Sequence, residues 1–416
     1  MKFDLSDRNL AFAICRIATW AIGVACFIYV LYRLVTLALT NDEFGALQSV
    51  YRKGIRDSLT FFYIDPQNQF LVSMLAMFFM KILPFSEVVN IRLPSLLALL
   101  IYLYGAFRLA RFVRSPWLGL LFFTALCANA FMLDFFSLSR GYALALGFTV
   151  VSLSALVDLL DRGQAPHARD PTSNLVIGSA GLAVLSNLAF LSYFLSVGFI
   201  LLWLAFRAQS GKGRIRGTLV DSVYLIYVGL ILVAFYNHRI LLMLHYEKLY
   251  FGGDRGFVAD TVSSLVESTF YEIPLSGSWI YGLSWALVAL LGAMAAWSWF
   301  KDKQWSPSAV IAGLLGLMTL YAVSLHYIVG IKYTIGRAAL VFVPLVVCQL
   351  AFFANSGKFR AIVPVGLLLV YTAVGCLNLN LTHTLKWRSA AANPEVVEDL
   401  RVFYMFGKKH LDIAVS

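Results

Sequence analysis

The chain has 416 residues, of which 60% are hydrophobic, 15% aromatic and only 13% charged. Soluble domains carry about 25% charged residues, so this sequence cannot cover a water-facing surface of its size, and most soluble enzyme folds are excluded. The formal charge of +11 would suit nucleic acid. In a chain of apolar runs, however, Lys and Arg chiefly report which side of a membrane each loop occupies, and no nucleic-acid partner is expected.

Apolar runs follow one another along the chain. The first, from about Ala11 to Leu39, is too long for a cleaved signal peptide, lacks a clear small-residue cleavage site and reads as an uncleaved first span. Others fall near 67–83, 91–107, 117–133, 141–157, 175–206, 218–236, 279–300, 309–329, 338–354 and 361–381. The run 175–206 is too long for one span and has Ser186, Asn187 and Ser192 at its centre. It is predicted to form two short helices that leave and re-enter the same side.

Basic residues set the orientation. Arg108, Arg111 and Arg114, then Arg162 and Arg169, Arg207, Lys212, Arg214 and Arg216, Lys301 and Lys303, and Lys358 and Arg360 all belong on the cytoplasmic side. The run 67–83 breaks the parity that this requires. It contains Lys81 and is predicted to lie embedded in a first external loop, 40–90, without crossing. The expected architecture is an all-α polytopic membrane protein with about 11 spans plus that embedded helix. One transmembrane domain covers 1–381, with a second long external loop at 237–278 and a short external tail at 382–416. The N-terminus is expected to be cytoplasmic, and Asn393-Pro394-Glu395 reads as the capped start of an amphipathic helix in the tail. Compact loops without cysteine favour a bacterial inner membrane.

All five cysteines lie inside apolar runs, and the six histidines share no metal-ligand spacing, so neither a disulfide framework nor a transition-metal site is expected. The chemistry-bearing feature is the end of the first span, Thr40-Asn41-Asp42-Glu43. Two adjacent carboxylates at a low-dielectric boundary suit a general base, because partial desolvation raises a carboxylate pKa toward working pH. A solvated helix-end acid is the plain alternative.

The order of several short motifs resembles the C-type (GT-C) glycosyltransferases, the polyprenyl-phosphate-sugar-dependent enzymes that include protein O-mannosyltransferases and the lipid A aminoarabinose transferase. The motifs are the acidic pair, Leu83-Pro84-Phe85-Ser86-Glu87 leading to Arg92-Leu93-Pro94-Ser95, Asp134 followed by Ser139-Arg140-Gly141-Tyr142, and Gly336-Arg337-Ala338-Ala339-Leu340 entering a run with Pro344. The resemblance covers roughly 1–160 and 330–385. Many relatives carry His-Pro where this chain reads Asp65-Pro66-Gln67-Asn68-Gln69, so Asn68 or Gln69 stands in for the His.

The resemblance implies an integral membrane glycosyltransferase with an external active site. Its donor would be a polyprenyl-phosphate-linked sugar, and its acceptor a hydroxyl on a glycolipid, polysaccharide or protein. Asp42 would act as general base in an inverting attack, with Glu43 orienting the acceptor or sharing the proton. A phosphate leaving group calls for cations, and Arg337, Arg140, Lys332 and Arg92 are the candidates, Arg because its planar fork binds phosphate bidentately. Arginines at span ends also snorkel to headgroups without a catalytic role. Asp134 is a candidate second acid or metal ligand, for which Mg or Mn would be the cofactor. Asn68, Tyr142 and His238 are weaker candidates for donor or acceptor contact. Tyr246, Tyr250, Phe251, Gly252 and Gly253 suit either an aromatic belt or a flap. Two other functions share this composition: a lipid or sugar transporter or flippase, and a glycan polymerase or ligase using pyrophosphate-linked glycans.

Overall fold

The first apolar run forms one unbroken helix, α1 (Leu5–Thr36), because nothing in it interrupts the backbone ladder. In the computed structural model the described residues are 5–52, 54, 69–163, 170–208, 218, 222–246, 252–271, 273–301, 306–357 and 359–392. Asn68, Asp65, Arg169, Tyr250, Phe251, the 212–216 basic cluster and the tail from Asn393 therefore lie outside them. After a turn at 37–40, Thr40 caps α2 (Asn41–Ala46), which widens into a π-helical turn at Leu47–Tyr51. Then come α3 (Phe70–Ile82), α4 (Glu87–Ala110), α5 (Pro116–Cys127), α6 (Ala130–Ser137), α7 (Gly141–Asp161), α8 (Pro171–Ser186), α9 (Leu191–Ala208) and α10 (Val223–His245). The chain closes with α11 (Ser263–Phe270), α12 (Gly277–Lys301), α13 (Pro307–Val329), α14 (Phe342–Asn355) and α15 (Ile362–Leu377). Among the described residues the one extended pairing is the antiparallel bridge Gly253–Tyr333.

Among the described residues seven helices are long and apolar enough to cross a membrane, or up to eight if α5 and α6, bent by 57°, form one span. The chain is a multi-pass membrane protein. Several other predicted spans form as shorter helices: α8 has 16 residues, α14 has 14 and α15 has 16. At 1.5 Å per residue each reaches only about 21–24 Å, and 3-10 turns at Gly336–Ala339 and Phe359–Ala361 extend the last two. The long run 175–206 breaks where its polar residues predict. Asn187 leaves helical geometry, and its side chain accepts from Ala189 N at 2.9 Å. The run predicted to lie embedded forms α3, whose 13 residues rise about 20 Å.

Helix α7 is the most enclosed candidate span, with 83% of its apolar window buried against 11% for α12. Small residues bring its neighbour close. A Cβ on Gly105 of α4 would stand 2.9 Å from the Val150 backbone, and one on Gly147 would stand 2.9 Å from Ala98 O. Small residues at helix contacts are how membrane helices pack without a solvent-driven term.

The two ends of the bundle differ. At one end Arg108 and Arg162 both pair with Asp158, and the Arg114 amide donates to Asn355 Oδ1. At the other, residues from the ends of α1, α2, α4, α6, α7, α11, α14 and α15 meet around Asp42 and Asp134. One predicted boundary moves. Helix α10 continues to His245, so Asn237 and His238 are helical residues and do not open a loop.

Candidate active site

Thr40 determines where the acidic pair points. Its hydroxyl accepts from Glu43 N at 3.2 Å while Glu43 Oε2 accepts from Thr40 N at 3.0 Å, a reciprocal capping box. This turns Glu43 into the protein and leaves Asp42, one residue earlier, facing the opening. Glu43 is fully buried and Asp42 is 22% exposed.

Arg92 meets Glu43 with two parallel bonds, Nε to Oε1 at 2.8 Å and Nη2 to Oε2 at 2.7 Å. Ser139 N also donates to Glu43 Oε1 at 2.8 Å. The remaining Arg92 donors reach Leu34 O, Leu37 O and Ala38 O, at the end of α1. Burial works to raise the Glu43 pKa. The Arg92 charge and its hydrogen bonds, with the Ser139 and Thr40 amides, outweigh that and hold the carboxyl below its usual range. Two sequence expectations are corrected here. Arg92 has no donor left for a phosphate, and Glu43 has no lone pair free to orient an acceptor. Together they bolt α4 to the α1–α2 turn.

Asp42 belongs to a different cluster. Arg140, at the start of α7, contacts Asp42 Oδ2, and Arg337, in the turn before α14, donates to the same oxygen from Nη1 at 2.9 Å. Among the described residues no bond reaches Asp42 Oδ1. Burial first, and then the like charge of Arg337, push the Arg140 pKa down; the Asp42 carboxylate in contact with it acts in the opposite sense. Arg140 is 3% exposed, and among the described residues its Nε has no hydrogen-bond partner. The structure thus brings together three of the predicted residues, Asp42, Arg140 and Arg337, from segments up to 295 positions apart.

The others are placed elsewhere. Lys332 pairs with Asp254 at 3.0 Å on the exposed surface of the Gly253–Tyr333 bridge. Asp134 is engaged on both oxygens: Arg33 Nη2 donates to Oδ1 at 2.6 Å, and Tyr271 Oη and Leu385 N donate to Oδ2 at 2.8 and 2.9 Å. Burial, followed by the Asp134 charge, pushes the Tyr271 phenol up, so it stays a donor. A carboxylate so occupied does not fit the expected role of second acid or metal ligand, and among the described residues no three His, Cys, Asp or Glu side chains converge on a metal position. Tyr142 packs its ring 5.1 Å from that of Phe135 and is mostly buried. His238 is exposed on α10. Gln69, next to Asn68, accepts from the Gly141 amide and so touches the backbone beside Arg140.

An apolar cavity of about 680 Å³ lies among α11, α12, α13, α14 and α15, lined by residues such as Val262, Leu265, Leu287, Phe342 and Val346. Separately, the turn that carries Arg337 is tied to α11, because Gly336 N donates to Ser264 Oγ at 2.8 Å.

No protein-family model matches the chain, and no curated protein matches it. Among solved structures the chain is similar to ArnT from Cupriavidus metallidurans bound to undecaprenyl phosphate, at 12% identity and a TM-score of 0.49, over 94% of this chain and 80% of that one. So slight a likeness carries no residue's role across, and the roles of Asp42, Arg140 and Arg337 rest on their own geometry.

One site residue had no motif to announce it. Trp387 lies with its ring 5.5 Å from the Arg140 guanidinium and 5.7 Å from that of Arg337. It comes from the segment after α15, where composition alone signals nothing. Glu43's structural role did have a signal, the Thr40-x-x-Glu43 spacing of a capping box.

Proposed function

We propose that the chain is an integral membrane glycosyltransferase that moves a sugar from a polyprenyl-phosphate donor to an acceptor hydroxyl. The observation that carries this is the convergence of Arg140 and Arg337 on one oxygen of Asp42. A carboxylate with one oxygen anchored and the other unbonded is oriented for proton abstraction, and two guanidinium groups beside it suit a phosphate. The apolar cavity among α11–α15 suits the prenyl chain, and the cations suit a phosphate head.

In the resting site both arginines are bound to the base. Donor phosphate competes for the guanidinium groups, and as they turn to it Asp42 loses its counter-ions and becomes the stronger base. Asp42 then takes the acceptor O–H proton, the acceptor oxygen forms a bond to the anomeric carbon, and the bond from that carbon to the phosphate oxygen breaks. Polyprenyl phosphate leaves with the electron pair, stabilised by Arg140 and Arg337. One displacement inverts the anomeric centre. The site end is the non-cytoplasmic one in this reading, since Arg108, Arg114 and Arg162 collect at the opposite end.

Asp42→Asn tests the reading. Purified in lipid, the variant should still bind undecaprenyl phosphate but transfer sugar about 10²–10⁴-fold more slowly; transfer at the wild-type rate would remove the base. The lipid released by the wild type should be a monophosphate, and a diphosphate would favour the polymerase or ligase reading. Sugar crossing the bilayer without any transfer would favour the transporter.

A further inference from the structure

The segment that follows α15 is tied down along its length. Asn378 Nδ2 donates to Phe270 O at 2.9 Å, Tyr29 Oη donates to Asn380 O at 2.7 Å, and Arg33 Nη2 donates to His383 O at 2.7 Å. The Leu385 amide then ends on Asp134. The buried Arg33–Asp134 pair therefore grips this segment on both sides, from Arg33 to a carbonyl and from Asp134 to an amide two residues on. Tyr271, which also donates to Asp134, adopts φ +55, a left-handed conformation unusual for a residue with a side chain. So elaborate a fastening holds the next two residues, Lys386 and Trp387, over the Asp42 cluster.

Trp387 departs from helical geometry inside its own turn, at φ −130 and ψ 45. Its ring is half-buried against both guanidinium groups and meets Phe135 of α6 edge-on at 6.2 Å. Lys386 lies against the Arg337 turn: a Cβ built on Gly336 would stand 3.6 Å from Lys386 Nζ. Arg140 and Arg337 are like charges that share one carboxylate oxygen, and they would separate once Asp42 or a phosphate shifted. An indole in contact with both attracts each of them and holds them at one spacing.

We propose that residues 378–392 form a strap that completes the donor site, with Trp387 as the positioning residue that keeps Arg140 and Arg337 spaced for one phosphate group. This rests on the glycosyltransferase reading of the same site. Asp134 thereby acquires a role: it anchors the strap and takes no part in the chemistry.

The test uses the full-length protein in nanodiscs, with undecaprenyl phosphate as the probe and binding measured directly alongside donor KM and kcat. Trp387→Phe keeps a ring face and should bind within about threefold of wild type. Trp387→Leu keeps apolar bulk without the ring and should weaken binding about tenfold, the order of a desolvated cation–π contact. The loss should appear in donor KM, with acceptor KM unchanged, and the melting temperatures of the two variants should agree. Equal binding by Trp387→Leu and wild type, or equal losses in Trp387→Leu and Trp387→Phe, would overturn the proposal. If Arg337→Gln abolishes binding while Trp387→Leu does not alter it, the donor site stands and the strap's role falls; a wild type that does not bind undecaprenyl phosphate removes both.

Discussion

Asp42 and Glu43 are neighbours in sequence, each faces arginine, and their environments are opposite. Glu43 sits in a closed pair with every lone pair engaged and no exposure, whereas Asp42, 22% exposed, shares one oxygen between two arginines and keeps the other unbonded among the described residues. A buried carboxylate saturated by one bidentate partner and backbone amides is a fastener, since any movement would strand a charge in a low-dielectric interior. A carboxylate in an under-filled cluster of cations is poised to exchange partners. Chemical type and proximity to a membrane edge are the same for both; bonding capacity left over distinguishes them.

Removing a partner from the closed pair should have the largest structural effect. Arg92→Ala would leave Glu43 charged and buried, at a cost of about 3–5 kcal/mol, read as a fall in thermal unfolding temperature or failure to purify as a folded species. Should Arg92→Ala fold normally and lose only donor binding, the division between the two clusters would be wrong. Asp42→Asn should do the reverse, sparing the fold and slowing transfer.

Acid titration separates them further. The Glu43 pKa is lowered in the fold from its ordinary value of 4.5, so the stabilisation it brings is fully present above that value and is lost as pH falls through the lower folded one. Stability of the wild type between pH 7 and 5 should therefore owe no slope to Glu43. A drop should appear below about pH 4.5, and Glu43→Gln, less stable at neutral pH, should lack that part of it in a pH series of melting curves.

Smaller effects test the surroundings. Gly316 lines the apolar cavity, and a Cβ there meets nothing within 4 Å. Gly316→Leu should accordingly fold and weaken undecaprenyl phosphate binding several-fold by filling the space with about one side chain of volume. Tyr271→Phe removes one hydrogen bond to Asp134 and should cost about 1–3 kcal/mol of unfolding free energy. The exposed Arg52–Glu87 pair, 2.6 Å apart with both side chains about half exposed, should matter least. Arg52→Ala should lie within about 1 kcal/mol of wild type, and a larger loss would mean that the 40–54 segment is held by more than α2.

How much of this was legible beforehand depended on the range of the interaction. The apolar runs, the break at Ser186–Asn187 and the shortness of 67–83 follow from local composition, because a helix must satisfy its own backbone in lipid and polar residues mark where it stops doing so. The predicted number of spans was less secure, since Pro and Gly near the ends of α14 and α15 replace full helices with shorter ones preceded by tight turns. In the site, Arg140 and Arg337 could be nominated as cations at helix starts, but nothing local separates them from Arg92. That distinction needs the fold, which turns Arg92 inward onto Glu43 and the α1 carbonyls.

The sequence by itself determined a helical, multi-pass membrane protein with an acidic pair at the end of its first span, because apolar length, helix capping and charge spacing act over a few turns of one helix. Only the tertiary structure decided which acid is structural, which arginines share the other one, and that Trp387 lies against both. Those outcomes depend on contacts between segments tens to hundreds of residues apart, where the number of unsatisfied bonds left after packing, and not residue type, assigns the role.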